Sequence, residues 1–223
     1  MTTQQNERKE WGVIFDMDGV LIDSYRAHFL SWQRMLRNRG LDITEKQFGT
    51  TFGRTNHDIF SSLYSTIPTE DYPALAEEKE SAFRDVISAD FPEMDGASEL
   101  ITKLHEAGAI LAIGSSGPPE NLEVLLEKLP GGRYFKAVTN GSEITRGKPD
   151  PEVFVKTALK IGLPPAKCVV VEDAVAGVRA GKGAGCAVIA LTGTARSEQL
   201  FEADLIVDSL RELTPETFKK LVS

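Results

Sequence analysis

Short apolar runs alternate with stretches of helical periodicity over most of the chain. Apolar runs bounded by Gly, Pro or polar residues predict buried strands, here at 12–16, 109–113, 135–138, 168–171, 187–191 and near 204–207. Apolar residues at helical spacing predict helices at 25–39, 97–107, 119–128, 151–161 and 174–184. Continuously apolar strands that alternate with helices are typical of a parallel sheet covered on both faces. The pattern therefore predicts an α/β fold with a three-layer core.

The segment from 25 to 91 lacks this alternation and is predicted to be helical throughout. Thr44 and Gln47 have the spacing of a capping box at a helix start. Breaks between helices are expected at Gly53, Pro68 and Pro73. Because the segment directly follows the first strand, we expect it to lie above that end of the sheet as a lid. The predicted domains are a core formed by 1–24 and 92–223 and a helical cap formed by 25–91.

Composition and charge exclude several classes of protein. The 223 residues are enough to bury a full core, and a net charge of −8 without a basic tract makes a nucleic-acid partner unexpected. Cys168 and Cys186 each begin an apolar run, where a thiol packs as a small hydrophobic group, so neither a disulfide nor a zinc site is expected. No apolar run could span a membrane, and the polar N-terminus does not resemble a secretory signal. We therefore expect a cytoplasmic monomer without a membrane partner.

Two carboxylates stand at the end of the first predicted strand. Asp16 and Asp18 are two residues apart, and residues at that spacing on an extended strand point to the same side. Gly19 then permits a sharp turn. Two like charges so close are costly unless a cation or a basic side chain neutralises them. An acidic turn without further role is the simpler alternative.

Other polar residues follow other predicted strands. Ser115 and Ser116 follow the second strand, and Glu172 and Asp173 end the fourth. Lys148 lies in a loop before a helix. Ligands of open parallel sheets bind outside the carboxyl ends of the strands. The sequence therefore predicts that these side chains meet Asp16 and Asp18 at one edge.

Their chemistry is that of phosphoryl transfer. An Asp such as Asp16 can attack phosphorus and form an aspartyl-phosphate, and a second, Asp18, can act as general acid and then as general base. Ser115 offers a hydroxyl, and Lys148 a fixed positive charge that neutralises the nucleophile and the phosphoryl group. So many carboxylates without basic neighbours favour Mg²⁺, which prefers oxygen ligands. We expect Mg²⁺ to bridge Asp16, Asp173 and a phosphate oxygen.

Four short motifs resemble those of the haloacid dehalogenase superfamily. They are, in chain order, Asp-Met-Asp-Gly-Val, Gly-Ser-Ser, Gly-Lys-Pro-Asp-Pro and Val-Glu-Asp-Ala, starting at 16, 114, 147 and 171. The resemblance implies a Rossmann-like core with a helical cap, Mg²⁺ and an aspartyl-phosphate intermediate. It further implies the nucleophile and acid/base roles given above, with the backbone carbonyl of Asp18 on the metal. Ser115 and Lys148 would hold the phosphoryl group, Asp173 would bind the metal directly, and Glu172 would bind it directly or through water.

Within that superfamily the chain most resembles the β-phosphoglucomutase-like proteins. His28 matches their hinge histidine, and residues 52–56 match their cap specificity loop. The chain departs from the mutase pattern at three places, one of which is Gly117-Pro118-Pro119, where the mutase has a polar Ser-Lys-Asn run. Asn56 stands where the mutase has an arginine for the far phosphate, and Asp85 stands about where it has a cap lysine. The residues that we predict to bind substrate are His28, Gly53, Arg54, Asn56 and Ser116.

Fewer cations for a second phosphate favour a phosphatase over a mutase. We expect a Mg²⁺-dependent phosphatase that acts on a small phosphorylated metabolite, a sugar or polyol phosphate. The alternative is a β-phosphoglucomutase that interconverts β-glucose 1-phosphate and glucose 6-phosphate. A non-catalytic binding protein on the same scaffold is a third reading, against which the complete set of acids argues.

Glycines crowd the predicted helix 174–184. Glycine inside a helix lowers its stability relative to alanine, so a helix that contains several needs a compensating reason. We expect that reason to be close packing of the helix on the sheet at Gly177, Gly181, Gly183 and Gly185.

Overall fold

A six-stranded parallel sheet forms the centre of the molecule in a computed structural model that describes residues 10–51 and 55–223. The strands lie in the order β3-β2-β1-β4-β5-β6. Their bounds are β1 Gly12–Phe15, β2 Ile110–Gly114, β3 Phe135–Thr139, β4 Cys168–Glu172, β5 Ala187–Leu191 and β6 Leu205–Val207. The α-helices of the described chain are α1 Tyr25–Arg37, α2 Glu45–Gly49, α3 Asn56–Leu63, α4 Tyr72–Ala89, α5 Ala97–Glu106, α6 Pro119–Lys128, α7 Glu152–Lys160, α8 Val175–Ala184 and α9 Pro215–Leu221. The predicted fold class is confirmed.

The sheet is buried because its side chains alternate between two apolar clusters. In β1, Val13 and Phe15 belong to one cluster and Ile14 to the other, and all three are fully buried. Helices α5, α6 and α9 contribute to the first cluster, and α7 and α8 to the second. Both faces of the sheet are therefore covered, which is why its strands read as continuous apolar runs.

The helices from α1 to α4 lie between β1 and β2 in the chain and contain a third apolar cluster, built around Trp32 and Phe60. Two backbone hydrogen bonds tie the ends of this insertion together, from Asp23 N–H to the Pro92 carbonyl (2.8 Å) and from Met94 N–H to the Leu21 carbonyl (3.0 Å). A separate cluster and a paired connection support the proposed division into core and cap. We use "cap" below for residues 25–91.

Two details of the predicted elements are wrong. Pro73 does not break a helix, because it lies in the first turn of α4, where the missing N–H has no helical partner to lose. The C-terminal helix α9 was not predicted, since a seven-residue helix with a single buried residue, Phe218, gives a weak periodic signal. The predicted capping box of Thr44 and Gln47 is present at the start of α2.

The two cysteines pack as predicted. Both thiols are unpaired and buried, and burial raises the pKa of Cys168 to about 11 and that of Cys186 to about 12. Among the described helices, none combines the length and the apolar character needed to cross a bilayer.

Candidate active site

The polar residues that follow the strands meet at the carboxyl edge of the sheet. β1 lies between β2 and β4, so Asp16 after β1, Ser115 after β2 and Glu172 at the end of β4 lie on neighbouring strands. Lys148, from the loop before α7, donates hydrogen bonds to Asp16 Oδ1 (2.7 Å) and Glu172 Oε1 (2.6 Å). The structure therefore brings together the residues that the sequence placed at one edge.

Three buried carboxylates form an acidic triad beside this lysine. Asp16, Glu172 and Asp173 each present one oxygen atom, and these atoms lie within 4.8 Å of one another. Burial, together with the charges of Glu172 and Asp18, raises the pKa of Asp16 to about 7 despite Lys148. Burial, Glu172 and Asp16 raise the pKa of Asp173 well above its usual range. One lysine does not balance the triad, so a divalent cation with a preference for oxygen ligands fits these residues.

Lys148 is held in its charged form. Burial would lower its pKa, but the charges of Asp16 and Glu172 and the hydrogen bonds to them outweigh burial and raise that pKa. Its ammonium group also lies 4.9 Å from the centre of the Phe154 ring, a distance that suits a cation–π contact. A fixed positive charge therefore faces the carboxylate of Asp16.

Glu172 and Asp173 owe their positions partly to two glycines. A Cβ on Gly177 would lie 1.8 Å from Glu172 Oε1, and a Cβ on Gly19 would lie 1.9 Å from Asp173 Oδ2. Gly19 also has a φ of +71°, which favours glycine. The packing interpretation is correct for Gly181, which abuts Val188, but wrong for Gly177, which makes room for a carboxylate of the triad.

Ser115 and Ser116 lie in the loop between β2 and α6. Ser115 is buried, and its Oγ accepts a hydrogen bond from the N–H of Gly117 (3.1 Å). Because that bond uses a lone pair, the hydroxyl hydrogen stays available for an anionic oxygen. Ser116 is exposed in the same loop, and its role as a substrate contact stays a prediction.

Asp18 turns toward the cap rather than toward the triad. His28 Nε2 lies 3.1 Å from Asp18 Oδ1, and Lys79 Nζ lies 2.7 Å from His28 Nδ1. Because the lysine donates to Nδ1, the hydrogen on Nε2 points at Asp18. Burial would raise the pKa of Asp18, but the interaction with His28 and its hydrogen bond, with further contributions from Ser24 and Lys79, lower it to about 2.

Lys79 contacts this group of side chains, and the sequence analysis did not identify it. The position assigned to the mutase-like cap lysine was Asp85, which is exposed and paired with Arg34 (2.8 Å). Lys79 lies six positions earlier and is 2% exposed. A signal was present in the sequence, since Leu75, Lys79 and Phe83 recur at a spacing of four and thus share one face of α4. A lysine on an apolar helix face is rarely buried without a partner.

Of the predicted cap specificity loop at 52–56, the structure describes residues 55 and 56. Gly53 and Arg54 lie outside the described residues. Asn56 begins α3, and its amide Nδ2 donates to Glu80 Oε1 (2.9 Å). Thus the described part of the predicted loop faces a carboxylate of α4.

A sequence model of the haloacid dehalogenase-like hydrolases matches residues 12–185, from β1 through α8. The chain belongs to this family. The match confirms the family resemblance found in the four motifs, and it spans every core residue of the site described above.

Similar proteins include both phosphatases and mutases. This hydrolase is 33% identical to hexitol phosphatase A of Escherichia coli over 217 residues, which cover 91% of this chain and 93% of that protein. It is 28% identical to β-phosphoglucomutase of Bacillus subtilis over 212 residues, which cover 92% of each. Among solved structures, β-phosphoglucomutase from Clostridium difficile superposes with a TM-score of 0.80 at 25% identity, covering 96% of this chain and 97% of that one.

Proposed function

We propose that this hydrolase is a Mg²⁺-dependent phosphatase that releases phosphate from a small phosphorylated sugar or polyol through an aspartyl-phosphate. The observation that carries the proposal is the placement of Asp16 within the acidic triad and beside a charged lysine, while Asp18 is hydrogen-bonded to His28. Phosphatase activity on phosphorylated carbohydrates is the activity that the curated relatives support.

Asp16 is proposed as the nucleophile. Its carboxylate oxygen attacks phosphorus, so that an O–P bond forms while the bond from phosphorus to the leaving oxygen breaks. Lys148 neutralises charge on the attacking carboxylate and on the phosphoryl oxygens, and the Ser115 hydroxyl donates to one of those oxygens. Both groups are fixed before the substrate arrives, so little reorganisation is needed in the transition state.

Asp18 is proposed as the general acid and base. In the first step it gives a proton to the leaving oxygen, and in the second it takes a proton from the water that attacks the aspartyl-phosphate. A pKa of about 2 leaves Asp18 ionised in the substrate-free site. A phosphate dianion nearby would raise that pKa by repulsion, so substrate binding itself favours the protonated form needed for the first step. His28 orients the carboxylate of Asp18 in both steps.

The acidic triad is proposed as the Mg²⁺ site. Asp16 and Asp173 would bind the ion directly, Glu172 directly or through water, and the backbone carbonyl of Asp18 would complete the protein ligands. Bound Mg²⁺ supplies positive charge that screens the phosphoryl group and the nucleophile from each other. The side chain of Glu172 is held in position for metal binding because its Oε2 accepts hydrogen bonds from the N–H groups of Asp173 (2.8 Å) and Ala174 (2.9 Å).

A β-phosphoglucomutase is the second candidate. Its support is that Lys79 contacts His28, which in turn contacts Asp18. Lys79 could therefore act as the cap lysine for which the sequence analysis found no match. The test is incubation with β-glucose 1-phosphate, a bisphosphate primer and Mg²⁺. Glucose 6-phosphate without free phosphate would establish the mutase, and free phosphate would establish the hydrolase.

The decisive experiment for the proposed function is a panel of phosphate esters assayed for phosphate release with Mg²⁺. The panel should contain hexitol, hexose and pentose monophosphates and an aryl phosphate. We expect turnover of sugar or polyol monophosphates that disappears with a chelator and returns with Mg²⁺. Absence of phosphate release from every ester would refute the proposal and revive a non-catalytic role.

A further inference from the structure

A group of polar side chains joins the cap to the core next to the proposed site. We call it the junction cluster, and its members are Asn56, Lys79, Glu80, Arg84 and Asn121. The first four belong to the cap, on α3 and α4, whereas Asn121 lies in the first turn of the core helix α6. Substrate bound at Asp16 beneath the cap would extend its leaving group toward this junction.

Glu80 is the centre of the junction cluster. Its Oε1 accepts hydrogen bonds from Asn56 Nδ2 and Lys79 Nζ, both at 2.9 Å. Its Oε2 accepts one from Asn121 Nδ2, also at 2.9 Å, and thus crosses from the cap to the core. The carboxylate is largely buried, with 12% of its side chain exposed. Lys79 connects it to His28 and so to Asp18.

Each cation of the junction cluster has a carboxylate partner. Lys79 is paired with Glu80, and Arg84 is paired with Glu77 (2.7 Å) while also donating to Asn121 Oδ1 (3.2 Å). Burial would raise the pKa of Glu80, but the charge of Lys79 and the hydrogen bonds from Asn56 and Lys79 lower it, so the group is a carboxylate at neutral pH. Among the described cap residues at this junction, no cation is left over for a second anionic group.

We propose that Glu80 selects phosphate monoesters whose far end is uncharged and carries hydroxyl groups, and that it rejects those with a remote carboxylate or a second phosphate. This inference rests on the proposed phosphatase function and names its substrate class. A carboxylate and two amides can exchange hydrogen bonds with hydroxyl groups. A second anion at the same place would lose its water beside the Glu80 carboxylate without gaining a free cation, because Lys79 and Arg84 are already paired with Glu80 and Glu77.

The first test uses the wild-type protein and two substrates with the same carbon chain. Sorbitol 6-phosphate ends in a hydroxymethyl group, and 6-phosphogluconate has a carboxylate at that position. We expect kcat/KM for the polyol phosphate to exceed that for the acid by about tenfold or more, because the remote carboxylate would be desolvated without a free cation to pair with. Equal values, or a preference for the acid, would overturn the inference and leave the phosphatase standing. Absence of phosphate from either substrate and from the wider panel would overturn both.

The second test removes the charge and keeps the shape. Glu80→Gln should bring the ratio of the two kcat/KM values toward one, by about tenfold or more. A general loss of activity would lower both values and leave the ratio unchanged, so the ratio reports on selectivity alone. Glu78→Gln is the matched control, since Glu78 lies on the same helix but pairs with Arg39 at the surface. An unchanged ratio in folded Glu80→Gln, or the same change in Glu78→Gln, would overturn the assignment. If Glu80→Gln does not fold, the wild-type ratio decides.

Discussion

Gly177 illustrates how a residue without a side chain determines the position of Glu172, a proposed metal ligand. In an ordinary helix, replacing glycine by alanine adds up to about 1 kcal/mol of stability. At Gly177 the added Cβ would collide with Glu172, whereas at Gly183 in the same helix it would meet Pro151 at an ordinary 3.5 Å.

We therefore predict opposite outcomes for two Gly→Ala variants of α8. Gly183→Ala should keep full activity and gain up to about 1 kcal/mol in the free energy of unfolding. Gly177→Ala should lose activity by about tenfold or more, because a displaced ligand lowers metal affinity, and should need more Mg²⁺ for half-maximal rate. Equal Mg²⁺ dependence in both variants would show that Glu172 does not serve the metal.

Lys79 and Asp85 are the two candidate positions for the cap lysine of the mutase, the first from the structure and the second from the sequence, and mutation distinguishes them. Lys79→Met removes the donor to His28 Nδ1, so the ring no longer has to present a hydrogen to Asp18. We predict that kcat falls by about tenfold or more, since orienting an acid/base catalyst is part of its worth. Asp85→Asn, at the position that the sequence suggested, should leave kcat unchanged. A normal kcat in Lys79→Met, measured beside a folding control, would remove Lys79 from the site.

The elements of the core were predictable because each strand is buried on both faces and each covering helix has one apolar side. The residues of the site were predictable for a related reason, since carboxyl ends of parallel strands share one edge and Asp16, Ser115 and Glu172 follow three of them. Contacts between side chains far apart in the chain were not predictable. Lys79 meets His28 across 51 positions, and Glu80 meets Asn121 across 41, and no local pattern encodes such pairs.

The sequence did not predict the helix α9, yet its packing indicates that it contributes to the stability of the fold. Phe218 is fully buried in the cluster that covers one face of the sheet, with its ring 6.4 Å from that of Trp11. We predict that Phe218→Ala lowers the free energy of unfolding by about 3–5 kcal/mol, the usual cost of emptying a core aromatic site. Phe201→Ala is the control: this residue is 70% exposed, and the change should stay within about 0.5 kcal/mol. Urea unfolding of both variants measures the difference.

At the scale of the whole molecule, the acidic triad links stability to pH and to metal. The pKa of Asp16 is raised to about 7 in the folded state, whereas an unfolded Asp titrates near about 3.9. Between these values Asp16 binds more protons in the folded state than in the unfolded state, so its contribution to stability without metal falls as pH rises from about 4 to about 7. A cation that binds the ionised triad stabilises the folded state by mass action and does so most where the carboxylates are ionised.

We therefore predict that the increase in Tm caused by Mg²⁺ is larger at pH 8 than at pH 5. Thermal unfolding with chelator and with excess Mg²⁺ at the two pH values measures it. Asp173→Asn removes one ligand and should reduce the increase at pH 8. An increase that is the same at both pH values would show that Mg²⁺ acts away from the triad.

The central claim is that Asp16 attacks phosphorus. Asp16→Asn removes the nucleophile, keeps its size and relieves repulsion in the triad, so the variant should fold and, without metal, be at least as stable as the wild type at pH 8. The measurement is phosphate release from the best substrate of the ester panel with saturating Mg²⁺. We predict a fall of at least about 10⁴-fold, as expected when a covalent nucleophile is lost. A folded Asp16→Asn variant that releases phosphate within about tenfold of the wild-type rate would contradict the account.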